Sequence, residues 1–318
     1  MSEENRFAEQ IKGIYYSLLP HQHDLSPRPE INTLLSRLVD LCTATHSKTF
    51  TCNVFQIKGI EQITAALRPL CGTAEGELES YWARVILTSC TGPVTASRKE
   101  ELLHAFPYYQ NYLDLSRLEC STLEAFLPPC GPECRPIPRK VAFIGSGPLP
   151  LTSFCILNRY PDANVYNVDR DSDALQISQT LSSQLGYGER MIFSCGDVSV
   201  EDALDGVVRS NGSGSSVGGY GRKNGAGKHL SWKDFDVVFL AALVGMDSAE
   251  KINILRPLVR RLRKGCLVVC RSAWGLRGVL YPTLELTDDL DKIGLEVLVV
   301  VHPWTKVVNS VVMLRVKE

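Results

Sequence analysis

Two rhythms of apolar residues divide the chain. Up to about residue 127 they recur at three- and four-residue intervals, the spacing that gathers them on one face of an α-helix. Phe7, Ile11, Ile14 and Leu18 make one such stripe; Ile31, Leu34, Leu35, Leu38, Leu41 and Cys42 make another, opened by a Ser-Pro-x-Pro-Glu start signal. Further helices are expected over residues 53–70, 71–87, 98–103 and 116–126, with a loop rich in Gly, Pro and Thr over 90–100. From residue 140 onward short apolar runs alternate with helical segments, the pattern of a parallel sheet. Runs at 141–144, 164–168, 190–195, 235–243 and 266–270 read as strands, with helices over 151–159 and 172–185 between the first three. Runs at 295–301 and 307–315, joined by His302-Pro-Trp-Thr-Lys, read as a closing antiparallel hairpin of a mostly parallel seven-stranded sheet.

The length of 318 residues fits two domains. We assign a helical substrate or lid domain to 1–127, a Pro/Gly/Cys-rich linker to 128–139 and an α/β domain to 140–318. One stretch of the α/β part, at about 206–231, carries RSNGSGSSVGGYGRKNGAGKH and has too few apolar residues to order itself; it reads as a disordered insertion. Its Gly225-Ala-Gly-Lys228 is no phosphate loop, because His229 stands where Ser or Thr would hold a metal-bound nucleotide.

The chemistry concentrates where the first strand empties into Gly145-Ser146-Gly147. Missing β-carbons let backbone N–H groups approach a ligand closely there, and a helix follows at once. The dinucleotide fingerprint Gly-x-Gly-x-x-Gly is not met, since Pro150 occupies the third glycine position. That glycine lets a helix pack close beneath a pyrophosphate, so its absence favours a ligand without one. Asp169, at the end of the second strand, is placed to accept hydrogen bonds from a ribose diol. An adenosyl group with a short chain satisfies both conditions, and S-adenosylmethionine is the candidate.

Composition narrows the field. A net charge of −1 leaves no electrostatic footprint for nucleic acid or an anionic membrane. Apolar runs such as 237–246 are about half of a membrane span. The 11 cysteines form neither a disulfide framework nor paired zinc hooks, and no signal segment opens the sequence, so a reduced, cytoplasmic protein is expected. Cys130 and Cys134 would need two further ligands to hold a metal.

Two polar clusters stand out in the helical part. Glu75 and Glu79 are one helical turn apart, an unfavourable arrangement for two surface carboxylates without a basic partner. Tyr108, Tyr109 and Tyr112 crowd a short segment, and Tyr108 and Tyr112 share a face if it is helical. From the residues alone these are either an exposed helix face and an aromatic core cluster, or a buried acid pair with hydroxyl partners.

Several longer strings resemble the nicotianamine synthase family: Phe143-Ile-Gly-Ser-Gly-Pro-Leu-Pro-Leu-Thr-Ser153, Arg190-Met-Ile-Phe193, Asp236-Val-Val-Phe-Leu-Ala-Ala-Leu-Val-Gly-Met-Asp247, Arg271-Ser-Ala, Tyr281-Pro282, Val307-Val-Asn-Ser-Val311, Ala74-Glu-Gly-Glu-Leu-Glu79 and Phe106-Pro-Tyr-Tyr-Gln-Asn-Tyr112. The resemblance spans nearly the whole chain outside the glycine-rich stretch. It implies a helical domain followed by a Rossmann-like class I S-adenosylmethionine-dependent methyltransferase-type domain. It implies successive aminocarboxypropyl transfers from three S-adenosylmethionine molecules, with closure of an azetidine ring, giving nicotianamine, a metal-chelating metallophore, and three methylthioadenosines. S-adenosylmethionine would be substrate, and no metal would be needed for catalysis.

On this reading Gly145, Ser146, Gly147, Pro148, Asp169, Asp197, Val198 and Leu243 bind the donor, Asp197 at the adenine amino group. Arg271, Tyr281 and His302 contact substrate. A protonated α-amine is no nucleophile, so a carboxylate base of raised pKa is required, supplied by Glu75 or Glu79 and oriented by Tyr108 or Tyr112. Glu79 is preferred, because Glu75 would sit near a helix start, where the dipole alone accounts for an acid. The other readings are an ordinary small-molecule methyltransferase and a non-catalytic ligand-binding protein. The partner is a small molecule, with neither nucleic acid nor membrane, and a homodimer is compatible with the sequence.

Overall fold

The computed structural model describes residues 1–90, 92–128, 137–200 and 231–318. The glycine-rich stretch lies outside the described residues except at its end, as does most of the 128–139 segment. The N-terminal part is helical: α1 (Glu3–Leu18), α2 (Pro29–Thr43), α3 (Lys48–Gln56), α4 (Ile60–Ser89), α5 (Ala96–His104) and α6 (Tyr109–Glu124). Local chemistry sets the starts. The Ser2 and Ser47 hydroxyls accept the free N–H groups of Asn5 and Phe50, and Pro29 occupies the first turn of α2, where no N–H is needed.

Two helices differ from the sequence pattern. The chain breaks at Gly59, whose φ of +87° suits glycine, rather than after residue 70. Then α4 runs unbroken for 30 residues through Pro69, Gly72 and Gly76. The stripe Ile60, Ile63, Leu67 and Ala74 stays in phase across the proline, so tertiary burial holds a helix that local propensity would divide. Similarly, α6 begins at Tyr109, a full turn and more before residue 116.

The rest alternates strand and helix: β1 (Lys140–Ile144), α7 (Leu151–Arg159), β2 (Asn164–Asp169), α8 (Ser172–Gln184), β3 (Met191–Cys195), β4 (Val237–Leu240), α9 (Ser248–Arg261), β5 (Leu267–Ser272), α10 (Asp288–Lys292), β6 (Leu295–Val301) and β7 (Ser310–Val316). The strands form one 7-stranded sheet in the order β3-β2-β1-β4-β5-β7-β6. The first five are parallel neighbours. β6 and β7 pair antiparallel as the sequence predicts, but β7 returns between β5 and β6 and zips along β5 from Leu267↔Arg315 to Ser272↔Ser310.

Alternation in the strands sends residues to two cores. Val141, Phe143, Val237, Phe239 and Val269 face one core, which also takes Ala83 and Ile86 of α4, Leu102 of α5 and Leu123 of α6. Ala142, Ile144, Val238, Leu240 and Val268 face the other, beneath Leu255 and Leu258 of α9. A third core joins α1, α2, α3 and the start of α4 to Leu276, Val279 and Leu280, which follow β5. Because α4 is anchored in the third core at one end and the first at the other, its middle is stretched over the carboxyl ends of the strands. That placement makes the site.

Candidate active site

A cavity of about 1050 Å³ lies between the middle of α4 and the carboxyl edge of the sheet. It opens where the connection from β1 runs one way, to β2, while the neighbouring β4 belongs to the other half of the sheet, the crevice in which open α/β sheets bind ligands. Its floor is the turn after β1. Gly145 and Gly147 adopt φ of +80° and +63°. A β-carbon at Gly145 would collide with Val244, and one at Gly147 would lie 2.8 Å from Glu79 Oε2. The Gly147 N–H donates to Asp169 Oδ2 at 2.8 Å, and the Asp171 N–H donates to Oδ1 at 3.1 Å. Asp169 is thus fixed beside the turn, and its remaining lone pairs can take a diol. Ser146 and Pro148 complete the floor; the Ser146 hydroxyl is buried without a partner among the described residues.

Asp197, Val198 and Leu243 line the same cavity. Asp197 is exposed, and its Oδ1 accepts both the N–H and the hydroxyl of Ser199, at 2.9 and 2.6 Å. These bonds hold its carboxyl below the usual range.

The roof is α4. Cys71, Gly72, Glu75, Gly76, Glu79 and Trp82 turn to the cavity at helical spacing. Tyr112 O–H donates to Glu79 Oε1 at 2.6 Å, and Tyr281 O–H donates to Glu75 Oε2 at 2.6 Å. Two carboxylate–phenol pairs therefore stand one helical turn apart. Burial raises the pKa of Glu79 to about 8, aided by the charge of Glu75, while the Tyr112 bond and Arg271 act against the rise. Glu75 is raised as well, again chiefly by burial. Burial also holds both phenols well above their ordinary range, so they remain donors. Glu75 is not at a helix start but in mid-helix, and the dipole does not account for it.

Arg271, at the end of β5, is buried. Its Nε donates to Glu119 Oε1 at 2.7 Å, and its Nη2 donates to Glu119 Oε2 at 3.0 Å and to Thr152 Oγ1 at 2.7 Å. The fork is thus turned to α6 and α7, and its charge acts on Glu75 and Glu79 through space. Sequence reasoning missed Glu119 and Thr152. Glu119 lies on the buried stripe Leu115, Ser116, Cys120 and Leu123 of α6, and an acid amid buried positions is the signal that could have found it.

Two expected residues stand apart from the acids. Tyr108 precedes the first turn of α6, so it does not share a helical face with Tyr112; its hydroxyl meets Ser36 Oγ of α2 at 3.3 Å on the wall of the cavity. His302 is exposed and does not line the cavity. Its Nδ1 pairs with Ser310 Oγ at 2.8 Å and its ring stacks on Trp274. Among the described residues, no group of three or more His, Cys, Asp and Glu is arranged to hold a metal, and no helix is long and apolar enough to cross a membrane.

A mostly parallel seven-stranded sheet with β7 inserted antiparallel, a glycine turn after β1 and an acid after β2 define a Rossmann-like domain of the S-adenosylmethionine-dependent methyltransferase type, here roofed by helices. A sequence model described as nicotianamine synthase protein matches residues 1–206 and 226–318, passing over part of the glycine-rich stretch. The chain belongs to the nicotianamine synthase family. It is 34% identical to nicotianamine synthase 2 of Arabidopsis thaliana over 98% of this chain and 84% of that one. With nicotianamine synthase of Solanum lycopersicum it shares 35% identity over 94% and 80%. The crystal structure of MtNAS in complex with MTA and tNA superposes with a TM-score of 0.70 at 22% identity, over 99% of this chain and 97% of that one. A mutant of MtNAS in complex with S-adenosylmethionine gives 0.69, over 98% of each. At that identity the likeness speaks to the fold.

Proposed function

We propose that this protein is a nicotianamine synthase, an aminocarboxypropyltransferase that condenses three S-adenosylmethionine molecules into nicotianamine and releases three methylthioadenosines. Membership of the family supports the reading, and one observation carries it: Glu79, a carboxylate with a pKa of about 8 held by Tyr112, hangs directly over Gly147 of the donor turn. An acceptor amine reaching the donor there meets a base matched to its proton. The amine lone pair forms a bond to the arm carbon attached to sulfur. The carbon–sulfur bond breaks with its electron pair going to sulfur, leaving neutral methylthioadenosine, and the amine proton passes to Glu79. The methyl carbon of a sulfonium is intrinsically easier to attack, so selectivity depends on holding the amine about 3–3.5 Å from the arm carbon.

In this reading Gly145, Ser146, Gly147 and Pro148 cradle the donor and Asp169 takes the ribose diol. Asp197 and Val198 face the adenine, with Leu243 on the opposite side. Glu75 with Tyr281 holds the acceptor's ammonium, and Arg271 balances the carboxylates from beneath. Tyr112 orients the base. The chemistry needs no metal. The nine described cysteines are free thiols, which supports a reducing, cytoplasmic setting.

Donor labelled separately in the methyl group and in the arm tests the reaction. Arm label should enter the condensed product while methyl label leaves entirely in methylthioadenosine. Methyl label in an acceptor, with release of S-adenosylhomocysteine, would make the protein a methyltransferase.

A further inference from the structure

Gly76 is unexplained by the fold. It lies inside α4, where glycine is less favourable than alanine because it has more backbone freedom to lose. Its φ is not in the positive range, unlike Gly145 and Gly147. A β-carbon built on it would meet nothing within 4 Å, whereas one on Gly72, a turn earlier, would touch Leu243 at 3.5 Å. Neither backbone conformation nor packing therefore asks for glycine at 76. The open space beside it is the cavity, and its neighbours on the cavity face of α4 are Glu75 and Glu79. At about 1050 Å³ that cavity is at the upper end of the roughly 300–1,000 Å³ that encloses one drug-sized ligand.

We propose that Gly76 determines product length: the side chain it lacks leaves the room into which the acceptor grows, so a larger residue stops the condensation before it is complete. The inference rests on the synthase reading above. Two of the three steps add an aminocarboxypropyl unit to an acceptor amine and the third closes the azetidine ring as an amine displaces sulfur from its own arm; each forms an N–C bond, breaks a C–S bond, releases methylthioadenosine and passes one proton to Glu79. A fixed obstruction at 76 therefore weighs more on later transfers than on the first. Asn309, just before β7, also lines the cavity; it is 7% exposed and its Nδ2 has no partner among the described residues, a donor available to a carboxylate of the lengthened chain.

The test compares the parent with Gly76→Ala and Gly76→Leu, using Gly13→Ala on the outer face of α1 as a control for helix propensity alone. Melting temperature is measured, and products from S-adenosylmethionine are resolved by mass. Gly76→Ala should melt at or above the parent, as Gly13→Ala should. The ratio of partly extended to complete product should rise about tenfold or more in Gly76→Leu, and less in Gly76→Ala, since a single misplaced methylene discriminates by about 10–200-fold. Complete product at the parent ratio from Gly76→Leu would overturn the proposal. So would an equal loss of first and later transfers, or a Gly76→Ala protein that melts below the parent, which would make the glycine a requirement of the fold. A parent that releases no methylthioadenosine would instead refute the synthase reading, and this inference with it.

Discussion

Glu79→Gln isolates the proposed base with little change of shape. The amide is the same size, its oxygen still accepts the Tyr112 O–H, and Asp169 and the glycine turn are untouched, so binding of S-adenosylmethionine should be retained. The loss should fall on the chemical step. A positioned general base contributes about 10²–10⁴ in rate, which at about 1.36 kcal/mol per tenfold is roughly 2.7–5.4 kcal/mol of barrier. Initial rates of methylthioadenosine release, measured from pH 6 to 9 beside calorimetric binding, read both quantities. The parent rate should climb with pH and level off near 8, where Glu79 loses its proton, and the variant should lose that limb. Stability should move oppositely. The folded state keeps the Glu79 proton between its ordinary 4.5 and about 8 while the unfolded chain releases it, so this group makes the fold less stable as pH rises through that window. The Gln variant should consequently melt above the parent, with a gap that widens from pH 5 to 8. A variant turning over within a factor of about two of the parent, with its pH limb intact, would refute the assignment; the same experiment on Glu75→Gln then decides whether the neighbouring pair carries the proton.

Asp169→Ala should weaken S-adenosylmethionine binding by about 1.5–3 kcal/mol, the worth of hydrogen bonds to a charged group, and unchanged calorimetric affinity would place the donor elsewhere. Gly147→Ala should lower both melting temperature and binding, because its φ of +63° and the Glu79 oxygen 2.8 Å from the new β-carbon each oppose a side chain; a protein with parent-like values would contradict the geometry of the turn. Glu119→Ala strands the Arg271 guanidinium in the interior and should cost about 3–5 kcal/mol in urea unfolding, while Glu119→Leu combined with Arg271→Met should recover most of it. No recovery would mean that Glu119 stabilises α6 independently of Arg271.

The sheet was legible because its signals are local. The runs that became β2 and β6 and the helix Leu151–Arg159 follow from alternation, periodicity and punctuation by glycine and proline. The turn after β1 and the acid after β2 were legible because consecutive residues form them. What escaped depended on tertiary burial. Nothing near Pro69 announces that α4 continues, since the packing of Ile60, Ile63 and Leu67 on one side and Ala83 and Ile86 on the other decides it. Glu75 and Glu79 were visible as an uncompensated pair, yet the partners that define them, Tyr112 and Tyr281, lie far along the chain. The bond from Arg271 to Glu119 crosses from the sheet to α6, and its stripe of buried positions was its only local trace. Tyr108 lies on the cavity wall but pairs with Ser36 rather than with the acids, and His302 pairs with Ser310 outside the cavity, arrangements that the local sequence does not announce.

The central claim, that the aminocarboxypropyl arm and not the methyl group is transferred and that S-adenosylmethionine is its own acceptor, is tested most directly by incubating the pure protein with S-adenosylmethionine alone and counting products by mass. Methylthioadenosine and nicotianamine should appear at close to three to one, with no added amino acid. S-adenosylhomocysteine as the released nucleoside, or methylthioadenosine formed only when another amine is supplied, would contradict it.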